Sequence, residues 1–226
     1  MAGESTAPVF QERLTRWFAP DVLTTALPTL VLAAAAGAFG YGLAALVLAA
    51  AGVFMAAFFR NPTREIPAAA GAVVSPADGR VIAVGEVEGP DGEKALRVGI
   101  FLSVFNVHVN RAPVAGRVVS IERSGTKFLA AFNPDAETRN VQLAMGLELA
   151  SGTRLTVTQI TGLIARRIVC HAAVGDGLAR GTRYGLIRFG SRTDVHLPLR
   201  AEVRVQEGQK VKGGRDVLAV LPGETT

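Results

Sequence analysis

The sequence predicts a mainly β domain of short strands, sandwich-like and with few short helices, preceded by a transmembrane helical hairpin. Three observations predict it. From Val22 to Phe59 the chain carries no charged residue. Charges resume at Arg60 and are spread through everything that follows. From Ala72 onward, short runs rich in Val and Ile are bounded by Gly, Pro, Asn and Asp turns, the pattern of strands rather than helices. A chain of 226 residues holds about one soluble domain plus an accessory segment.

Residues 1–20 read as an interfacial amphipathic segment. Phe10, Leu14, Trp17 and Phe18 recur at helical spacing with Arg13 and Arg16 between them, and Trp suits a membrane–water boundary. Residues 21–59 read as the membrane hairpin. One spanning helix takes about 20 apolar residues. The uncharged stretch is close to twice that, and Gly37, Gly40, Tyr41 and Gly42 interrupt its middle. Arg13 and Arg16 before it, and Arg60 and Arg64 after it, place both ends on the cytoplasmic side. The alternative is a helical hairpin buried in a soluble core. Pro62 and Pro67 then exclude helix continuation.

Residues 60–226 form the β-rich domain. Its expected strands are Val73-Val74, Arg80 to Val87, Lys94 to Phe101, Gly116 to Glu122, Asn140 to Leu149, Arg154 to Ile160, Arg167 to Ala172, Tyr184 to Phe189, Thr193 to Leu197 and Val217 to Leu221. Short helices are expected near Phe128 to Phe132. A weak repeat relates Gly175–Gly181 to Gly208–Gly214, each followed by a short apolar strand. Such turns occur in lipoyl-type carrier domains, but Lys210 and Lys212 lie within the turn, not at a hairpin tip, so that likeness extends to fold alone.

The formal net charge of +5 fits an anionic membrane surface or anionic substrate. With no Lys/Arg run and no aromatic platform, nucleic acid is not an expected partner. The single cysteine, Cys170, rules out an intrachain disulfide and reads as structural. No Cys/His/Asp cluster has zinc spacing, so no metal is expected.

The dipeptide Gly190-Ser191 lies between two strand-like runs. A hydroxyl directly after glycine can attack the preceding carbonyl, because glycine has no Cβ and tolerates a strained backbone. The product is an internal ester, and a chain that can cut itself. Gly-Ser alone ordinarily marks a turn. Cutting needs a base and a group to orient it. His196 is five residues along the same strand, too far to reach back, and His171 sits in a probable core strand. His108 lies in a polar run ending at Pro113, and Asp78 lies in the turn Ser75-Pro76-Ala77-Asp78-Gly79. Pro-Ala-Asp-Gly is also an ordinary β-turn sequence.

Taken together these motifs are specific. The chain resembles the phosphatidylserine decarboxylases in their short bacterial and archaeal form. The resemblance rests on Phe58-Phe59-Arg60-Asn61-Pro62, Ser75-Pro76-Ala77-Asp78-Gly79, Phe105-Asn106-Val107-His108-Val109-Asn110-Arg111-Ala112-Pro113, Gly162-Leu163-Ile164-Ala165-Arg166-Arg167-Ile168 and Gly185-Leu186-Ile187-Arg188-Phe189-Gly190-Ser191-Arg192. Longer members carry Leu-Gly-Ser-Thr at the cut, where Phe-Gly-Ser-Arg stands here, as in the short form. They also carry a second histidine where this chain has Arg111, so that histidine's role does not transfer.

The resemblance implies a zymogen cut autocatalytically at Gly190-Ser191 into a large chain (1–190) and a small chain (191–226), which remain together as a heterodimer, alone or within a higher oligomer. It implies a lyase that decarboxylates phosphatidylserine to phosphatidylethanolamine with a pyruvoyl group made from Ser191, without pyridoxal phosphate. Ser191, His108 and Asp78 would form a triad, His108 the base and Asp78 its orienting partner. Arg111, Arg166 and Arg167 are candidates for holding lipid phosphate or carboxylate. The expected location is the bacterial inner membrane, catalytic domain on the cytoplasmic face. Two competing readings are a membrane-anchored β-sandwich adaptor, which would stay uncut, and a pyruvoyl enzyme for a soluble amino acid, which would need no hairpin.

Overall fold

The computed structural model describes residues 19, 21–133, 135–163, 167–188 and 190–224. The chain divides into two compact units, one spanning Glu12–Thr63 and the other built from Arg64–Thr226.

In the first unit the hairpin forms where expected. Helix α1 runs Asp21–Ala38 and helix α2 runs Gly42–Phe58. The turn between them uses Gly40 at a φ of 82°, a value glycine adopts without Cβ strain. Pro28 sits inside α1. Gly52 lets the helices close, since a Cβ there would come within 2.6 Å of the Leu30 side chain. The arms of 18 and 17 residues are about 27 and 26 Å long, against roughly 30 Å of bilayer hydrocarbon. Among the described residues no helix is long and apolar enough to cross a membrane. The expectation of a transmembrane hairpin is corrected to this extent. The uncharged stretch was long enough for two spans, but the turn at Phe39–Tyr41 and the ends take part of it. The helices still expose large apolar side chains, among them Leu23, Leu27, Val31, Leu43, Leu46 and Val53, each more than half accessible.

The second unit is mainly β, as expected. Its strands are β1 (Ala72–Val74), β2 (Gly79–Glu88), β3 (Lys94–Leu102), β4 (Val109–Arg111), β5 (Gly116–Ser124), β6 (Gln142–Glu148), β7 (Arg154–Ile160), β8 (Ile168–Cys170), β9 (Gly177–Leu178), β10 (Arg183–Ile187), β11 (Ser191–Leu197), β12 (Glu202–Val203), β13 (Lys210–Val211) and β14 (Val217–Val220). Among the described residues of this unit one short helix, α3 (Ala136–Arg139), follows β5; the expected helix near Phe128 to Phe132 is replaced by a turn. An eight-stranded sheet runs β13-β2-β3-β11-β7-β6-β5-β9, and two three-stranded sheets run β4-β10-β8 and β1-β14-β12. One core draws on all three, through residues such as Ile100, Met145, Val157, Tyr184, Val195 and Leu218.

The placement of β11 matters most. It lies inside the large sheet, paired antiparallel with β3 from Ser191↔Leu102 to Leu197↔Leu96 and with β7 from Arg192↔Ile160 to His196↔Thr156. All seven of its residues are buried. Side chains alternate along a strand, so Ser191 and Thr193 share the face that carries Val195 and Leu197 into the core, while Arg192, Asp194 and His196 take the other.

Candidate active site

Three segments bring the site together. β10 pairs with β4 through Leu186↔Val109, and the Ile187 amide donates to the His108 carbonyl at 3.3 Å. The chain leaving β10 therefore passes His108 three residues before Gly190. β11 then begins at Ser191.

A buried polar chain beneath the site holds this register. Gln159 Nε2 donates to Asn110 Oδ1 at 2.8 Å, and Asn110 Nδ2 donates to Thr193 Oγ1 at 3.1 Å. All three residues are fully buried. They link β7, β4 and β11, so the strand after His108 cannot slide against the strand that starts at Ser191.

Ser191 itself is fully buried, and its Oγ has no hydrogen-bond partner among the described residues. An unpaired buried hydroxyl is costly and stands out where function is concerned. His108 is buried too. Its Nδ1 lies 3.0 Å from the Asn106 carbonyl oxygen. A carbonyl only accepts, so Nδ1 carries the proton and Nε2 offers its lone pair. Nε2 in turn accepts from the Gly190 amide at a long 3.4 Å. A neutral imidazole thus presents its basic nitrogen at the peptide unit immediately before the one that Ser191 would attack.

Gly190 has a φ of 60°, in the left-handed region that favours glycine. A Cβ there would meet nothing within 4 Å, so the backbone angle, not space, calls for glycine. Space is the issue at Gly162. A Cβ on Gly162 would overlap the Gly190 carbonyl oxygen. Gly162 therefore lets its backbone lie directly against the scissile carbonyl. Sequence reasoning gave Gly162 no role beyond its place in a motif, because close approach of two backbones leaves no pattern in the chain.

Asp78 is placed differently from expectation. Its Oδ2 accepts from Arg64 at 2.9 Å and its Oδ1 from the Gly213 amide at 2.7 Å. It also faces Arg111 electrostatically. Among the described residues it does not hydrogen-bond His108; the Asn106 carbonyl takes the orienting position instead. The sequence could not signal this, since a backbone carbonyl belongs to every residue.

The candidate substrate arginines separate. Arg111 is only 4% exposed. It donates to the Gly181 carbonyl at 3.1 Å and packs against Gly214. Burial, with Arg183 and Arg64 nearby, lowers its pKa to about 10, while Asp78 opposes the shift. This arrangement cross-links two turns. Arg167 is exposed, and Arg166 lies outside the described residues. Exposed cations instead gather elsewhere: Arg80, Lys210, Lys212 and Arg215 line a cleft of about 570 Å³ that also takes in Asp78 and Phe105.

The remaining singled-out residues lie apart from the chemistry. His196 is on the opposite face of β11 from Ser191, and burial holds its pKa below the ordinary value. His171 is exposed just past β8 rather than in a core strand. Cys170 is half-buried, and burial pushes its thiol up, consistent with a structural residue. Among the described residues no group of acidic, His and Cys side chains could hold a metal ion.

Just beyond the cut, Arg192 is held firmly. Its Nε and Nη2 donate to the two oxygens of Asp194 at 2.6 and 2.7 Å, and Nη2 also reaches Glu137 at 3.3 Å. What the arrangement can do follows: a desolvated hydroxyl, a neutral base at the adjacent peptide unit, a glycine at the carbonyl, and a strand that stays paired if that peptide bond is lost.

Comparison with known proteins identifies the family. The family model described as phosphatidylserine decarboxylase matches residues 51–219. The phosphatidylserine decarboxylase proenzyme of Citrifermentans bemidjiense is 51% identical over 172 residues, 75% of this chain and 78% of that protein. The proenzyme of the same name from Symbiobacterium thermophilum is 52% identical over 178 residues, 78% of this chain and 83% of that protein. The one from Ralstonia pickettii is 46% identical over 194 residues, 85% and 88% of the two chains. The match runs through every segment that builds the site, and the chain belongs to the phosphatidylserine decarboxylase family of enzymes.

Proposed function

We propose that this chain is a proenzyme that cuts itself between Gly190 and Ser191 and then decarboxylates phosphatidylserine to phosphatidylethanolamine. The observation that carries the proposal is the buried Ser191 hydroxyl, without a hydrogen-bond partner among the described residues, beside a peptide unit whose amide is met by His108 Nε2.

In the cut, His108 Nε2 takes the proton of Ser191 Oγ as the oxygen attacks the Gly190 carbonyl carbon. The peptide nitrogen of Ser191 leaves that carbon and takes a proton, so an ester replaces the amide. Removal of the Ser191 Cα proton expels the Gly190 carboxylate from Cβ. The dehydroalanine left behind takes up water and loses ammonia, and the large chain ends at Gly190. The residues present fit the pyruvoyl group that results. It occupies the position of Ser191, whose hydroxyl has no competing partner among the described residues. When present, the group supplies a ketone that takes the substrate amine and accepts electrons as carbon dioxide departs. His108 stands at the same position to deliver a proton to the substrate carbon that has lost carbon dioxide. Asp78 holds the Arg64 side chain and the Gly213 turn, and its role is to position that wall of the site.

The two chains remain a heterodimer in this reading. The small chain begins as β11, held by backbone ladders to β3 and β7 on both sides and by the ion pair of buried Arg192 with Glu137 of the large chain at 3.3 Å. One bond is cut, and no strand is released.

The membrane is the substrate's solvent. The hairpin carries no charge from Val22 to Phe59 and exposes apolar side chains along both helices, which suits insertion into lipid. We assign it the role of keeping the enzyme at the bacterial inner membrane, on the cytoplasmic side that the flanking arginines favour.

The test is Ser191→Ala in the full chain. It should remain a single band on a denaturing gel and form no phosphatidylethanolamine from phosphatidylserine vesicles, whereas the native chain gives two bands and product. Two bands from Ser191→Ala would overturn the assignment of the nucleophile.

A further inference from the structure

Three apolar side chains stand out from the loops around Gly190. Phe105 is 75% exposed, Phe132 70% and Leu163 64%. Isolated exposed apolar residues are ordinary, but these three are organised. Phe105 lies in the turn after β3. There the Asn106 amide donates to the Ser103 carbonyl at 2.9 Å, and Asn106 Oδ1 accepts from both the amide and the hydroxyl of Ser103 at 2.8 Å. Phe132 lies in a second turn, closed by the Asn133 amide to the Ala130 carbonyl at 2.8 Å, and its ring meets Phe101 edge-on at 6.1 Å. Leu163 follows Gly162, the residue against the scissile carbonyl.

Asn140 ties these loops together. Fully buried, it accepts from the Leu129 amide at 2.7 Å and donates to the carbonyls of Leu129 and Thr161 at 2.9 and 2.8 Å. The turns carrying Phe132 and Leu163 are thus braced by one side chain. Rigid turns that hold large apolar groups outward favour a partner that can accept them. Beside them, the cleft lined by Phe101 and Phe105 carries exposed Arg80, Lys210, Lys212 and Arg215, which outnumber its carboxylates Asp78 and Asp216, the latter paired with Arg215 at 2.7 Å. Apolar tips next to clustered cations are complementary to one surface: acyl chains beneath anionic headgroups.

We propose that Phe105, Phe132 and Leu163, with the cations of the adjacent cleft, form a second membrane-docking surface that dips into an anionic bilayer around the mouth of the active site. This rests on the reading of the chain as a phosphatidylserine decarboxylase. The hairpin can hold the enzyme near the bilayer, but only a contact at the mouth itself lets a headgroup reach position 191 while its acyl chains stay in lipid.

The experiment uses the full chain with Trp17→Phe as background and adds Phe105→Trp, Phe132→Trp or Leu199→Trp singly. Leu199 is exposed and lies roughly 20 Å along and beyond β11 from Ser191. Each is reconstituted with phosphatidylcholine–phosphatidylserine vesicles whose acyl chains are brominated. Emission from Phe105→Trp and Phe132→Trp should shift to the blue and be quenched several-fold more than that from Leu199→Trp. Adding Lys210→Glu and Lys212→Glu should reduce that quenching. Equal quenching at all three positions, or none at 105 and 132, overturns the docking surface. Amide exchange in the unsubstituted chain is a second reading: protection of residues 103–107 and 130–133 on anionic vesicles supports the proposal, and unchanged exchange there contradicts it. Phosphatidylethanolamine formation by the background chain is scored separately. Conversion without quenching sinks the docking surface alone, and quenching without conversion upholds the surface and sinks the decarboxylase reading.

Discussion

Gly162 is the residue whose substitution separates geometry from chemistry. It bears no functional group, yet a Cβ on it would overlap the Gly190 carbonyl oxygen. Gly162→Ala must displace the carbonyl that Ser191 attacks, and a displacement near 1 Å costs on the order of 10²-fold in rate. The fraction of cut chain against time on a gel should show this slowing while Ser191 and His108 remain in place. His108→Ala removes the base and should slow cutting by roughly 10²- to 10⁴-fold. Asp78→Asn tests the corrected arrangement. Asp78 bonds Arg64 and Gly213 rather than His108, so the Asp78→Asn loss should multiply with that of His108→Ala. It should also lower stability, since Arg64 and the Gly213 amide lose a charged acceptor, read from denaturant midpoints. A double variant no worse than His108→Ala alone would restore the triad expected from the family. Ser191 and Gly190 stood out in the sequence as a dipeptide and His108 through the resemblance, and the structure places the Gly190 amide 3.4 Å from His108 Nε2. Asn106 and Gly162 did not stand out, because they act through backbone atoms. The true partners of Asp78 were hidden because Gly213 is 135 residues away in the chain.

At the scale of elements, β2, β3 and β7 could be read almost to the residue because Val and Ile runs end at clear turns. β4, β12 and β13 are two or three residues long and show no periodicity to read. Expected to open with Asn140, β6 starts at Gln142, because Asn140 braces the neighbouring loops. The weak repeat gains a structural meaning. β9 and β13 are two-residue strands at opposite edges of the large sheet, and positive-φ glycines flank each, Gly175 and Gly181 for one, Gly208 and Gly214 for the other. β11 offers a test of its own. On its outer face His196 has Asp194, Glu137, Arg97 and Arg192 around it, and burial outweighs the carboxylates to hold its pKa below 6.5. A histidine whose folded pKa is depressed stabilises the fold above its unfolded pKa, and that contribution is lost as pH falls through the folded value. Denaturant midpoints should therefore fall less between pH 7 and pH 5 for His196→Gln than for the unsubstituted chain. His196→Gln should still cut at a normal rate, since its side chain faces away from Ser191.

For the whole molecule, the proposed cutting site is built entirely from the Arg64–Thr226 unit, and the role proposed for the hairpin is to serve the substrate. Every group assigned to the cut lies after Arg64, and that unit carries its own core. Deleting residues 1–59 should leave self-cutting intact. It should lower turnover of phosphatidylserine in vesicles far more than turnover of detergent-dispersed lipid, because each buried CH₂ holds the lipid in the bilayer by about 0.8 kcal/mol. Equal activity of the truncated chain on both would make the hairpin a dispensable tether. The hairpin was legible from its lack of charge, whereas its arm lengths depended on a turn whose extent only the fold reveals. The central claim is the conversion of Ser191 into a new chain terminus, and intact-mass measurement of the denatured protein tests it most directly. The account predicts two chains, 1–190 and 191–226, the small one lighter by one ammonia than a peptide beginning with serine. A single uncut chain, or a small chain with an unmodified serine terminus, would contradict it.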